Sequence, residues 1–162
     1  MKTKVIIIII IILIGIGGLY HMGRKRKVKE EDLEISNIKS FYFTYTNGYM
    51  INSYTRYQIV IEEEKYIAKI KPYGKSEDEE KEIEINQDFI EKIVTILKKY
   101  EVTKWDGFNK SDHDVMDGDS FSISITMIND KSINASGYMK WPNNFRNVRD
   151  EISVLFMNLY NE

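Results

Sequence analysis

The sequence predicts an α+β domain: an antiparallel sheet of about six strands with two helices packed on one face, in the order β-β-β-β-α-β-β-α, preceded by one transmembrane helix. Three observations predict it. Several short segments alternate apolar and polar residues with period two and are separated by turn-forming residues, as strands with one wet face do. Two longer segments place apolar residues at three- and four-residue spacing, as helices covering one side of a sheet do. One run near the N-terminus has no polar side at all.

That run is residues 5–23, VIIIIIIILIGIGGLYHMG, uncharged when His21 is neutral. At about 1.5 Å per residue it reaches about 28 Å, close to the hydrocarbon thickness of a bilayer. The unbroken isoleucines from Ile6 to Ile12 leave no face for water. The expectation is a single span embedded in the lipid bilayer through residues 5–23. The competing reading is a cleaved signal peptide, with Gly15 and Gly17 as small residues at the cleavage site. The apolar run continues to full spanning length, which favours the span. Lys2 and Lys4 precede it, and Arg24, Lys25, Arg26, Lys27 and Lys29 come after it. Taken alone, the positive-inside rule keeps the C-terminal domain in the cytoplasm. A span at the extreme N-terminus commonly exports the domain behind it, so the two considerations oppose each other.

Residues 1–29 therefore read as an anchor with basic flanks, 30–37 (EEDLEISN) as a polar linker, and 38–162 as an acidic α+β domain. Residues 30–162 hold 16 basic and 25 acidic residues, a net charge of −9. So acidic a body repels phosphate backbones, and nucleic acid is not an expected partner. The chain has no cysteine, which excludes disulfides, thiolate chemistry, cysteine metal sites and a lipidated cysteine.

Within the domain, residues 38–46 alternate, with Phe41, Phe43 and Tyr45 on one side and Tyr42, Thr44 and Thr46 on the other. Asn47-Gly48 is a turn signal. Residues 54–61 and 65–71 read as two further strands joined through Glu62-Glu63-Glu64, and Pro72-Tyr73-Gly74 ends the second. Ile83 and Ile85 make a short fourth strand after the acidic run 77–80, a solvated connection. Asn86 is placed to cap a helix over 87–100, with Ile90, Ile93, Val94, Leu97 and Tyr100 on one face. Phe121, Ile123, Ile125 and Met127 alternate with serines and a threonine, the cleanest strand in the chain. Asn129-Asp130 turns it into a partner over 132–138. Asn143 or Asn144 is placed to cap a last helix bearing the stripe Phe145, Val148, Ile152, Leu155, Phe156 and Leu159.

Candidate chemistry concentrates in 106–119, which carries Asp106, Asp112, Asp114, Asp117 and Asp119 with Asn109 and His113 between them. Calcium takes six to eight hard oxygens, and such a loop offers several. The EF-hand spacing fails, because the third liganding position counted from Asp112 is Met116. Asp and Asn residues making local turns account for the same composition. His113 with carboxylates is a poor zinc set, and no nucleophile-elbow motif frames a serine for His113 to activate. The tyrosines at 42, 45, 49, 54, 57, 66 and 73 read as sheet packing, with an aromatic platform for sugar or peptide as the rival reading. No catalytic, cofactor-binding or metal-ligating residue is assigned, and no cofactor is expected.

The motifs WDGFNKSD (105–112), DGDSFS (117–122) and SGYMKWP (136–142) resemble those of uncharacterised small membrane-anchored or lipoprotein-type proteins of low-GC Gram-positive bacteria. The resemblance covers roughly residues 38–160. It implies an extracytoplasmic domain and assigns no activity. The expected function is a non-catalytic binding or interaction module at the membrane, engaging an unknown protein or cell-envelope partner. The alternative is a hydrolytic or calcium-dependent module using the loop from Asp106 to Asp119.

Overall fold

The structure, a computed structural model, describes residues 28–48 and 54–162. The expected span at 5–23, its basic flank to Lys27, and Tyr49 lie outside the described residues. Among the described residues no helix is long and apolar enough to cross a membrane.

Seven strands form one sheet: β1 (Ile38–Thr46), β2 (Tyr54–Glu62), β3 (Lys65–Lys71), β4 (Lys81–Ile85), β5 (Asn109–Ser111), β6 (Ser120–Met127) and β7 (Ser132–Tyr138). Their order across the sheet is β4-β3-β2-β1-β6-β7-β5. Every neighbouring pair is antiparallel except β5 and β7, which are parallel. Two helices, α1 (Gln87–Lys99) and α2 (Phe145–Asn161), complete an α+β architecture.

The expectation of a wholly antiparallel, six-stranded sheet is thus corrected to a seven-stranded mixed one. The missed strand is Asn-Lys-Ser, three exposed residues with no apolar alternation to read. What makes it a strand is backbone pairing with the free edge of β7, in the register Asn109 to Ser136 and Ser111 to Tyr138.

One sheet face is aromatic and covered. Phe41 and Phe43 on β1, Tyr57 and Ile59 on β2, Ala68 and Ile70 on β3, and Phe121, Ile123, Ile125 and Met127 on β6 are all buried. Phe156 of α2 sits at the centre. Its ring stacks on Tyr57 at 4.7 Å, and Phe89 of α1 meets it edge-on at 5.2 Å. A second aromatic cluster joins Phe145, Phe121, Trp141 and Trp105. Burying so many large rings supplies both apolar area and favourable ring geometry.

The two helix starts differ. Asn86 caps α1 as expected, its side chain accepting from the Phe89 amide at 3.1 Å. Asn144 occupies the corresponding position of α2 but lies in the left-handed region (φ 63°) and makes no side-chain cap. The asparagine there serves a tight backbone reversal, which its short side chain tolerates, rather than helix capping.

The segment expected as a polar linker is closed against the body. Glu30–Asp32 and Ile35–Asn37 form short 3-10 turns, and Val28 and Leu33 are buried in the core. Asp32 pairs with Lys131 at 2.6 Å, each largely shielded from solvent. The Ile128 amide donates to the Asn37 carbonyl at 2.7 Å. These contacts fasten the chain's entry to the β6–β7 turn.

Candidate functional site

The structure strings the loop candidates along an edge of the sheet. Asp106 accepts from the backbone amide of Asn134 at 3.1 Å, and Asn109 accepts from the Ser136 hydroxyl at 3.2 Å. Further along, Asp112 pairs with Lys140 at 2.6 Å and accepts from the Asp114 amide at 3.3 Å. The Lys140 ammonium holds the Asp112 carboxyl below its ordinary range. Asp119 accepts a short hydrogen bond from the Tyr45 phenol, whose pKa is raised by burial and by that carboxylate. The Arg149 guanidinium lies 5.0 Å above the Tyr45 ring. His113, Asp114 and Asp117 are exposed. Three of the five aspartates therefore have protein donors. Among the described residues, no three His, Cys, Asp or Glu side chains assemble into a group able to hold a metal ion.

The backbone around these aspartates is closely fitted. The Gly118 amide donates to the Tyr138 hydroxyl at 2.8 Å, which in turn donates to the Val115 carbonyl at 3.0 Å. A Cβ on Gly118 would lie 2.3 Å from Met139 Cγ. The Asp119 amide points at the Met139 sulfur at 3.2 Å. Any larger residue at 118 would have to displace the Met139 side chain. Met116, 94% exposed, stands out at the loop's tip.

A second candidate is the sheet face that the helices leave open. Period two turns alternate side chains onto it, and the register aligns them across strands. Tyr42 stands between Gln58 and Ser124, and Ser124 faces Asn134. Thr44 stands between Arg56 and Ser122, Ser122 faces Ser136, and Ser136 faces Asn109. Thr126 faces Ser132. Hydrogen bonds link Ser124 to Asn134 and Asn134 to Ser132, each at 2.9 Å. A shallow dip of about 300 Å³ lies over Ser122, Ser124, Asn134, Ser136 and Asn109.

This open face is divided. On β2, β3 and β4 it is charged: Lys69 bridges Glu62 at 3.0 Å and Glu82 at 2.8 Å, and Arg56 holds Glu80 at 2.6 Å and Glu77 at 2.7 Å. The hydrogen bonds that the Lys69 ammonium donates to Glu82 and Glu62 raise its pKa. On β1, β6 and β7 the same face carries hydroxyls and an amide. The sequence shows the serine alternation of β6 but not that three strands align theirs.

Two other features stand apart. Lys71 is fully buried, its ammonium 3.7 Å over the Tyr54 ring and donating to the Tyr54 carbonyl at 3.2 Å. Burial, with Arg56 nearby, pushes its pKa down. The amine thus faces the Tyr54 ring and carbonyl. An open groove of about 830 Å³ runs between α1 and α2, floored by Ile96, Leu155 and the 61%-exposed Val154. It is remote from the aspartate loop and from the open sheet face.

The tyrosines divide along the same lines. Tyr57 is core, Tyr45 packs against Trp141, and Tyr66 donates to the Ile38 carbonyl at 3.2 Å. Tyr42 lies on the open face. No protein-family model matches the chain, and no curated protein matches it.

Proposed function

We propose that this chain is a non-catalytic binding module held at a membrane by a single span over residues 5–23, with its ligand surface on the uncharged half of the open sheet face. One observation carries the reading: hydroxyl and amide side chains stand in register over β1, β6 and β7 with no charge among them, in a body of net charge −9. Neutral hydrogen-bonding groups give up water at lower cost than ions do. They suit a neutral, hydroxyl-rich ligand, the chemistry of a cell-envelope glycan, with the Tyr42 ring as a stacking surface. The resemblance noted in the sequence favours an extracytoplasmic position, where such a ligand would be met.

A calcium-dependent or hydrolytic use of the 106–119 loop has less support, because Asp106, Asp112 and Asp119 already hold protein donors. The test uses the full chain in detergent micelles. Retention on an insoluble neutral polysaccharide, lost on Ser122→Arg, supports the binding surface; retention unchanged by that variant removes it. Calcium titration should give neither heat nor a shift in melting temperature, and a saturable response would turn the reading to the loop.

A further inference from the structure

The sheet has two ends, and the chain enters at only one of them. Val28, the first described residue, is already buried, and Leu33 is fully so. The Asp32–Lys131 pair and the Asn37–Ile128 hydrogen bond fix this entry to the β6–β7 turn. The antiparallel register puts the β2–β3 turn at the same end, since the start of β1 lies beside the last residues of β2 and β6. The loop with Asp112 and Met116, and Tyr73 after β3, belong to the opposite end.

We propose that the end carrying the β2–β3 and β6–β7 turns faces the head groups of the bilayer that holds the chain. This rests on the membrane-tether reading above. With a span ending at Gly23, only the residues to Val28 separate lipid from the packed body, a reach of at most about 17 Å when fully extended. A body joined by so short a connection, with its entry pinned by an ion pair and a backbone hydrogen bond, has one end available to the surface.

The charges fit that placement in layers. At this end Glu30, Glu31, Asp32, Glu34, Glu62, Glu63, Glu64 and Asp130 outnumber Lys29, Lys39, Lys65 and Lys131, so the end is net acidic even after its ion pairs are counted. Alone it would be repelled by anionic lipid. Arg24, Lys25, Arg26 and Lys27 lie between the two in sequence, and four cations attract both the head groups and the carboxylates. Among the described residues, Ile128 at 56% and Ile61 at 42% exposure are the large apolar side chains left open at this end. The strands then stand along the membrane normal. With about 3.3 Å per residue, the nine residues of β1 raise the far loops about 30 Å above the near turns. The open sheet face is held sideways to the membrane and stays accessible.

Because the chain has no cysteine, single cysteines report position cleanly. Ile128→Cys and Glu64→Cys mark the near end; Met116→Cys and Tyr73→Cys mark the far one, and all four positions are exposed. Each full-length variant is labelled with a fluorophore and reconstituted into phosphatidylglycerol–phosphatidylcholine vesicles containing a quencher on the lipid head group. Quenching at 128 and 64 is expected to exceed that at 116 and 73 several-fold. Equal quenching at all four sites, or stronger quenching at 116, overturns the orientation. Failure of the full chain to float with the vesicles overturns the tether and the orientation with it. Replacing Arg24, Lys25, Arg26 and Lys27 by Gln should narrow the near–far contrast; an undiminished contrast overturns the charge layering.

Discussion

The two faces of the sheet are built from the same strands by the same alternation, yet they do different work. On the covered face the rings of Phe41, Phe156, Tyr57 and Phe43 form a chain of contacts, and Phe145 links Phe43 to Phe121, so each side chain has neighbours with which its shape must agree. The open face holds Thr44, Ser122 and Ser136 in a row whose members touch water on one side. Close packing makes the first face intolerant of change, whereas substitutions on the second have few neighbours to disturb.

The largest expected effect tests that contrast at its centre. Phe156→Ala removes the ring on which Tyr57 and Phe41 stack and Phe89 leans, and should cost about 3–5 kcal/mol in urea unfolding. A loss under about 1 kcal/mol would mean that the covered face is not the core. Gly137→Ala comes next. Its Cβ would lie 2.1 Å from the Lys140 carbonyl oxygen and 2.7 Å from Phe121 Cε1. Overpacking of this kind costs about 1–3 kcal/mol, and thermal melting measures it.

A stabilising change comes third. Glu63 and Glu64 both sit in the left-handed region, at φ 48° and 66°, between β2 and β3. A two-residue hairpin of that shape favours Asn-Gly, and L-residues there carry strain. The double change Glu63→Asn and Glu64→Gly should raise stability by about 1 kcal/mol, and no gain would show that the turn is unstrained.

The ion pairs around the body should give a gentler, pH-dependent effect. Partners hold the carboxyls of Asp32, Asp112 and Glu151 below their ordinary values, and Lys75 with the Ser76 amide brings Glu79 to about 2. Folded pKa values below unfolded ones mean that these pairs stabilise above the unfolded values of 3.8 and 4.5. That contribution is lost as pH falls through the folded values. Urea midpoints should fall between about pH 5 and pH 2 by the same amount in the parent and in Phe156→Ala, since the covered face carries no part of this dependence. Last and smallest, Ser122→Arg should leave stability within about 0.5 kcal/mol while abolishing polysaccharide retention. A folding defect there would make the open face structural.

Much of this architecture was legible in the residues. The limits of β1, β3 and β7 and the start of α1 come from alternation, turn residues and a capping asparagine, because those signals act over a few residues. Strand β5 was not legible, since Asn109, Lys110 and Ser111 gain their conformation from pairing with β7 rather than from their own pattern. Nor was the left-handed Asn144, whose role depends on how the chain turns into α2. Of the candidate loop, the aspartates were visible but their partners were not: Tyr45 lies 74 positions from Asp119 and Lys140 lies 28 from Asp112. Lys71 shows the same limit, because a lysine ending a strand reads as solvent-facing until Tyr54 closes over it.

The two outermost strands have one more consequence. At one margin stands β4, five residues bearing Lys81, Glu82 and Glu84; at the other stands β5, three residues with Lys110 at its middle. Brief, charged margins offer a poor template for a neighbouring copy to extend the hydrogen-bond ladder. A sheet finished in this way should keep copies of the chain from zipping together into aggregates even at high concentration.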